Sequence, residues 1–457
     1  MAHRKRMSIS SARSANLGSP PSFNATAGPA VDDWVKTWSS VPARDLIDSP
    51  VVAVDAETSV EDACEVLLSK DVVCLAVQRP PASSPHDPPF LGLFDFPDVN
   101  AFLTLAATRH RRSADELRER PRTEEIIAAA KAGRVPVRLV SNLSEKNPLE
   151  TLPHDATIIS LLTVFARGTH RVLIRAPPPS REYMGMISDR SLLQWFSTNI
   201  ERTPGLDSLL SAPLSSFQLP SLCLYSSVVA AKASDAVLDA MRLMSDYGVS
   251  SVAVLEEEGG GLLSAVSVTD IGKIVVPSQS NQILSMPLHQ FISLIKEPDG
   301  STDGVDKYPV YSVWPNSTLL YTMQKLLATN SHRLFVSDDQ VMPSPPSSGP
   351  SLSGLVSIVD ILSLFARFAK LPGVDPQAMQ RHRRASSTSS TSSRSPDAFH
   401  SHLARSRSSS RTSIAAGTKR LSVSSGGAGI SPVLPPTGLT GRIPSFESLQ
   451  WADRVPR

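Results

Sequence analysis

The chain has 457 residues, of which 41% are hydrophobic, and a formal net charge of +2. That length allows two or three domains with sizeable cores, and the near-neutral charge argues against a general affinity for nucleic acid or a membrane surface. No apolar stretch reaches the length of a membrane span, and the basic start, MAHRKRMSIS, lacks the apolar segment of a secretory signal. Three cysteines, Cys64, Cys74 and Cys223, lie in apolar patterned stretches without CxxC spacing. They read as reduced core thiols of a soluble intracellular protein.

In chain order, residues 1–33 are rich in Ser, Pro, Ala and Gly and read as a disordered tail. One pattern then recurs four times: a helix with an apolar stripe, a β-rich run, a loop, a second β run and a second helix. The first copy, 34–108, has TSVEDACEVLLSK, VCLAVQ, the loop PPASSPHDPP and FLGLFDFPDVNAFL. A charged connecting helix or linker, 109–133, follows. The second copy, 134–200, has TIISLLTVFARG, HRVLIRA, PPPSRE and YMGMISDRSLLQWF.

A linker, 201–219, leads to the third copy, 220–280, where KASDAVLDAMRLMSDYGVSSVAVLEE spaces Val237, Ala240, Met241 and Met244 on one helical face. Its hairpin turn is EEEGGG, and LLSAVSVTDIGKIVV gives a strand running into a helix. The fourth copy, 281–370, has STLLYTMQKLLATN, HRLFVSD, the insertion MPSPPSSGPS and SGLVSIVDILSLFARF. Proline-rich insertions fall at the same point in copies one, two and four, between the paired strands, where a hairpin tip tolerates them. Residues 371–457, with runs such as RHRRASSTSSTSSRSP and RSRSSSRTS, bury too little apolar surface to offset ordering entropy and read as a second disordered tail.

A βαββα unit ending in a small residue, two apolars, Ser/Thr, two residues and Asp resembles the CBS (cystathionine-β-synthase) domain. The implied fold class is α+β (an α/β sandwich): four tandem CBS repeats forming two Bateman modules, copy one with two and copy three with four, between disordered tails. The fourth copy and its approach, VSVTDIGKIVV, LHQFISLIKE, KYPVYSVWPNSTLLYTMQKLLATNSHRLFV and GLVSIVDILSLFARF, resemble the fungal Sds/Moc-type four-CBS proteins, named as suppressors of a phosphatase mutant.

Two readings exist for the carboxylate Asp360, set in an apolar run. S-x-x-D entering a helix is a capping box, with Ser357 on the first-turn amides and Asp360 at the positive end of the helix dipole. The same geometry suits a nucleotide, because free amides and a hydroxyl face phosphate and a carboxylate one turn on accepts from ribose. By resemblance to CBS proteins that bind adenosine ligands, Ser357 meets phosphate and Asp360 ribose, with Ser267 and Asp270 equivalent in copy three. Copy one has Asp98 at the ribose position but Asp95 in place of the hydroxyl. Copy two keeps Ser188 but has Ser191 where the carboxylate belongs, with Asp189 out of register.

Copies two and four also read Thr169-His170-Arg171 and Ser331-His332-Arg333 into the strand. A lone pair of this kind is ordinarily a polar strand start. These two resemble the phosphate-holding His/Arg residues of the γ subunit of the AMP-activated kinase, and an Arg fork with an imidazole suits phosphate. The expected nucleotide site is therefore Ser267, Asp270, His332, Arg333, Ser357 and Asp360 in the second module. Asp98, His170, Arg171 and Ser188 are weaker candidates.

No Gly-rich loop precedes a Lys-Ser/Thr pair, and nothing resembles a nucleophile with its base. His400 and His402 lie in the C-terminal tail and His86 in a proline-rich loop, so no metal-ligand spacing is visible. Ser8, Ser386 and Ser422 follow basic pairs, the arrangement basophilic kinases recognise. Ser395 precedes a proline, as a proline-directed site does. Dense serine without interleaved aromatics disfavours specific nucleic-acid reading.

The expected protein is a non-enzymatic regulator, cytoplasmic and nuclear, with no required cofactor and with AMP, ADP or ATP as its regulatory ligand. By family resemblance its partner is a type 2A-like phosphatase or another signalling protein, and its setting is cell-cycle progression, DNA replication, cell separation and stress or nutrient response. A γ-like subunit of an AMP-activated-type kinase is the alternative, and a degenerate nucleotide hydrolase the third.

Overall fold

The computed structural model describes residues 29–80, 88–108, 121–219, 221–222, 228–257, 260–275, 280–296, 311–338 and 351–374. Among them are four three-stranded sheets, each with its strands in chain order. The first repeat runs β1 (Ala53–Val54), α2 (Val60–Ser69), β2 (Cys74–Gln78), β3 (Phe90–Asp95) and α3 (Phe96–Thr108). The second runs β4 (Thr151–Leu152), α4 (Ile158–Phe165), β5 (Arg171–Arg175), β6 (Tyr183–Ser188) and α5 (Asp189–Thr198). The third has β7 (Ala230–Lys232), α6 (Val237–Asp246), β8 (Ser251–Leu255), β9 (Leu262–Ser267) and α7 (Val268–Val275). The fourth has β10 (Ser312–Val313), α8 (Leu319–Ala328), β11 (Arg333–Asp338), β12 (Ser351–Ser357) and α9 (Ile358–Phe368).

Local chemistry sets these boundaries. The hydroxyls of Ser59 and Thr318 accept from Asp62 N at 3.1 Å and Tyr321 N at 3.2 Å, starting α2 and α8. The first helix of each repeat is followed by a left-handed residue: Asp71, Gly168, Gly248 and Asn330 all have positive φ. Each hairpin carries a register shift near its far end, between Val77/Gln78, Ile174/Arg175, Val254/Leu255 and Val336/Ser337. Four hairpins sharing one irregularity are four copies of one unit, as the insertion pattern predicts. Two of the proline-rich tips, 81–87 and 339–350, lie outside the described residues, as do residues 1–28 and 375–457 of the two tails and Cys223. Cys64 and Cys74 are buried free thiols whose pKa burial pushes up, which makes them inert.

The repeats associate in two ways. Sheets of repeats one and two face each other through Cys74, Ala76, Leu93, Leu173 and Met186, with the Phe90 and Tyr183 rings 5.3 Å apart. Ala253, Leu255 and Ala265 of repeat three share a core with Phe335, Leu352 and Leu355 of repeat four. These are the two expected modules. Helices then join module to module: α3 packs on α6 and α7, while α4 meets α9 and α5 meets α8. Phe196 stacks on Phe365 at 4.3 Å, and Asn100 Nδ2 donates to Met241 O at 3.2 Å. The result is a ring in which every repeat touches one neighbour through its sheet and another through its helices.

A helix that the sequence reading did not single out, α1 (Pro29–Ser40), begins inside the stretch read as a tail. Its Trp34 and Trp38 are buried, with Trp38 edge-on to Phe196 at 5.0 Å and to Phe365 at 6.1 Å. The indole N–H groups donate to Pro204 O at 2.7 Å and Thr203 Oγ1 at 3.3 Å. α1 thus packs on repeats two and four, although the sequence boundary assigned residues from 34 onward to repeat one. No helix among the described residues is long and apolar enough to cross a membrane.

Within each module the segment leading into one repeat crosses the hairpin of the other. Asp48 N donates to Met186 O at 3.1 Å and Met186 N to Ser49 O at 2.9 Å, so the lead-in to repeat one lies along β6 of repeat two. Asn142 N donates to Leu93 O at 2.9 Å, placing the lead-in to repeat two on β3. Leu355 N donates to Ser221 O at 2.9 Å, placing the lead-in to repeat three on β12. The small residue that opens the recurring motif now has a physical reason. A Cβ on Gly185 would strike Ile47, and one on Gly354 would strike the Leu222 carbonyl. Because that obstacle is backbone, Gly354→Ala is expected to destabilise the protein by about 1–3 kcal/mol, read as a lower urea midpoint at unchanged slope.

Candidate functional site: a basic cavity where the four repeats meet

The hairpin-to-helix junctions of all four repeats converge. In every repeat the first residue of the central strand faces the residue that begins the helix: Cys74 opposite Asp95, Arg171 opposite Ser188, Ser251 opposite Ser267 and Arg333 opposite Ser357. Between the junctions lies a cavity of about 220 Å³. Its lining has four cations, Lys146, Arg171, Lys273 and Arg333, against the carboxylates Asp95 and Asp270, with His170, His332, Ser267 and Thr269 also at its wall. Excess positive charge in a partly enclosed space favours an anion.

Of the six favoured candidates, Ser267, Asp270, His332 and Arg333 line this cavity, and so do His170 and Arg171 from the weaker set. Ser357, Asp360, Asp98 and Ser188 do not. The cavity is therefore shared by all four repeats, where the sequence reading looked to the second module alone. Ser8, Ser386, Ser395 and Ser422 fall outside the described residues.

Asp360 is 1% exposed and closes a capping box. Its Oδ2 accepts from Ser357 N at 2.9 Å and Ser357 Oγ at 2.7 Å, while Ser357 Oγ accepts from Asp360 N at 3.2 Å. Burial pushes its carboxyl pKa up, opposed by the Ser357 hydrogen bonds and by the Arg333 and Arg367 charges. Asp270 repeats the arrangement on Ser267, at 2.9 Å to N and 2.8 Å to Oγ, but at the cavity wall.

Repeat two solves the same problem with a residue from elsewhere. Ser191 stands where the carboxylate belongs, and Asp48, from the lead-in to repeat one, takes the hydrogen bonds: its Oδ2 accepts from Ser188 N at 3.1 Å and from Ser188 Oγ. Ser191 Oγ is turned to Leu46 O at 2.8 Å. Ser188 is thus covered by the crossing segment and is not open to a ligand. In repeat one, Asp98 accepts from Asn142 N at 3.0 Å and Ser144 N at 2.8 Å, so it too holds a lead-in segment.

Asp95 sits in the cavity wall, which it shares with Arg171. Its Oδ1 accepts from Asp98 N at 3.2 Å and its Oδ2 from Asn147 Nδ2 at 3.4 Å. Burial pushes its pKa up to about 6, opposed by the amide of Asp98 and the charge of Arg171. Burial and the Asp95 charge push Asp98 up as well.

One cluster escaped the sequence reading. His170 Nδ1 lies 2.7 Å and His332 Nδ1 3.7 Å from Oδ2 of Asp189, the carboxylate judged out of register. Asp189 is 0% exposed; burial raises its pKa, but the two imidazoles reverse this and hold it well below the usual carboxylate range. At the same position the other repeats have Phe96, Val268 and Ile358, so a lone polar residue in an apolar column was the available signal. The neighbouring Arg190 donates to Leu327 O at 2.8 Å and Leu326 O at 3.3 Å, capping the end of α8 and tying repeat two to repeat four.

The CBS domain family model matches residues 225–276, within the third repeat. A protein of Aspergillus niger, Protein sds23, is 31% identical over 336 residues, covering 73% of this chain and 62% of the relative. The chain is a homologue of the fungal Sds23/Moc1-type proteins. Its third repeat carries a CBS domain. Another relative, sds23/moc1 of Schizosaccharomyces pombe, is 28% identical over 318 residues, covering 69% of this chain and 74% of the relative. The chain spans 62% and 60% of the lengths of the Aspergillus niger and Phaeosphaeria nodorum relatives. Among solved structures, a proposed archaeal homologue of g-AMPK from Methanocaldococcus jannaschii aligns over 71% of this chain and 100% of its own, at 15% identity and a TM-score of 0.48.

Two predictions follow from the junction geometry. Asp48→Ala strands the Ser188 amide and is expected to cost about 0.5–1.5 kcal/mol. Ser191→Asp should rescue that variant by supplying the carboxylate in the local position, yet destabilise the wild type by placing two carboxylates together; thermal melts of the four proteins test this. For Asp95, a folded pKa above the ordinary 3.8 means that ionisation disfavours folding. The penalty is absent below the unfolded value, grows as pH rises, and is complete above about 6. Asp95→Asn should therefore raise stability at pH 8, on the order of 1–3 kcal/mol, and the gain should vanish near pH 4. A flip of Asn147 brings its unpaired buried Oδ1 to the new amide.

Proposed function

We propose that the chain is a non-catalytic regulator whose central cavity binds the phosphorylated end of an adenine nucleotide. The observation that carries this reading is the convergence of Arg171 and Arg333, at the same register position in repeats two and four, with Lys146 and Lys273 around one cavity. Guanidinium forks and ammonium groups recognise phosphate oxygens, and the hydroxyls of Ser267 and Thr269 add uncharged donors at the same wall. At about 220 Å³ the cavity is smaller than the roughly 300–1,000 Å³ of an ordinary small-molecule pocket. It therefore suits phosphate and ribose, with the base at the mouth. Asp360 and Ser357 act in this reading as a helix cap and not as ligand contacts.

Binding at the junction of four repeats changes the relative stability of their arrangement, and a partner protein reads that change. We assign the partner role to a type 2A-like protein phosphatase that the chain restrains, in cytoplasm and nucleus, during cell-cycle progression, DNA replication, cell separation and stress or nutrient response; homology to the Sds/Moc-type proteins is what supports this. Ser8, Ser386, Ser395 and Ser422 are the proposed phosphorylation sites, where added charge adjusts docking. Co-purification of a phosphatase catalytic chain supports the partner assignment, and a kinase catalytic chain in its place overturns it.

The ligand is tested by calorimetric titration of the full chain with AMP, ADP and ATP. Arg171→Ala and Arg333→Ala should each weaken binding by about 10- to 100-fold, the value of a charge-assisted hydrogen bond. Asp360→Ala should lower stability and leave affinity unchanged. An absence of heat with the wild-type chain, or Arg variants that bind as well as wild type, overturns the assignment.

A further inference from the structure

We propose that His170, Asp189 and His332 form a divalent transition-metal site, suited above all to Zn2+, that bridges the second and fourth repeats. This goes beyond the nucleotide reading and does not rest on it. One ligand atom from each residue lies within 4.8 Å of the other two. Two imidazole nitrogens and one carboxylate oxygen are the donor set of zinc sites that keep a fourth position open, and they select Zn2+, Co2+ or Ni2+ over the oxygen-seeking Mg2+ and Ca2+.

The distances fit such an ion. Tetrahedral zinc with bonds of about 2.0–2.1 Å holds its ligand atoms about 3.3 Å apart. The observed separations from Asp189 Oδ2 are 2.7 Å to His170 Nδ1 and 3.7 Å to His332 Nδ1, on either side of that value. The ligand atoms of the two imidazoles lie within 4.8 Å of each other, so movements of no more than about 1.5 Å, available to imidazole and carboxylate rotation, close the set. The two rings face one another with centroids 4.8 Å apart, and both line the cavity, so the fourth coordination position opens toward water or an anion there.

A plain ion pair accounts for less of what is seen. The side chain of Asp189 is 1% exposed, yet its Oδ1 has no hydrogen-bond partner among the described residues. His332 Nδ1, 3.7 Å from the carboxylate, is beyond hydrogen-bond length and is buried without a hydrogen bond of its own. A carboxylate desolvated this completely, with one oxygen unsatisfied and a second imidazole waiting out of reach, is a costly arrangement for structure alone. A cation between the three donors compensates the burial. Nothing in sequence spacing signals it, because the ligands come from a strand start and a helix start in one repeat and a strand start in another. The Thr-His-Arg and Ser-His-Arg pairs are related by the repeat symmetry, whereas Asp189 has Ile358 as its counterpart. The repeat symmetry therefore supplies two imidazoles but only one carboxylate, and so one site.

The test uses the full chain stripped with a chelator, titrated with Zn2+ against a chromophoric competitor and with Co2+ followed by visible absorption. The expected result is one tight equivalent, with the intense Co2+ bands of a four-coordinate nitrogen/oxygen site and a rise in melting temperature on Zn2+ addition. His332→Gln, at a side chain about a third exposed, retains the fold, and Asp189→Asn keeps the shape of the buried group. Each should weaken Zn2+ binding by at least about 100-fold and abolish the thermal shift, with circular dichroism confirming the fold. If Asp189→Asn does not fold, His332→Gln decides alone. A wild-type chain that binds no more Zn2+ than His332→Gln, or a His332→Gln variant that keeps the cobalt spectrum, overturns the site and leaves a hydrogen-bonded His170–Asp189 pair in its place.

Discussion

Each hairpin in this protein runs directly into a helix, and the amide of the residue at that junction needs an acceptor inside the fold. A carboxylate supplies it in all four repeats. Asp98 accepts from Asp95 N at 3.4 Å, Asp48 from Ser188 N at 3.1 Å, Asp270 from Ser267 N at 2.9 Å and Asp360 from Ser357 N at 2.9 Å. An unsatisfied amide there would cost about 1–3 kcal/mol, and the helix dipole makes the position favourable for negative charge. The rest of the architecture depends on these four junctions, because they aim the central strands and the second helices at one common centre.

The exchange of lead-in segments makes the junctions more than local caps. The chain entering repeat one runs along β6 of repeat two and leaves Asp48 on the Ser188 amide, while the chain entering repeat two runs along β3 of repeat one and gives its amides to Asp98. Neither repeat of the first module completes its own junction without the other. This ties the sheets face to face by hydrogen bonds as well as by apolar packing, and it explains why Gly185 and Gly354 hold positions that no side chain can enter. The helices then carry the association between modules, where Phe196 stacks on Phe365 and Trp38 of the N-terminal helix closes the edge.

Charge is distributed unevenly around the shared centre. Repeats two and four contribute His-Arg pairs, repeat three hydroxyls, Asp270 and Lys273, and repeat one Asp95. Repeat two adds the buried Asp189 just behind the imidazoles. A site assembled from unequal copies has one orientation, whereas four equal copies would present equivalent options. Divergence among the repeats is therefore what gives the cavity a distinct chemistry on each wall.

The repeat itself was legible in the sequence, because helical and strand periodicity, turn residues and the shared insertion point are local properties that a linear chain displays. So were the capping boxes at Ser267/Asp270 and Ser357/Asp360, whose partners are three residues apart, and the two His-Arg pairs. The packing of α1 on repeats two and four, the substitution of Asp48 for Ser191 and the meeting of His170 with Asp189 and His332 were not legible. Asp48 and Ser188 are 140 positions apart, and His332 meets a carboxylate in another repeat. Periodicity reports which face of an element is apolar, but which repeat lies against that face follows from how the modules pack. The sequence by itself determined four βαββα units and the chemistry carried at each junction. Only the tertiary structure decided which carboxylate serves which amide and which side chains share a cavity, since those pairings are set by sheet and helix contacts between repeats far apart in the chain.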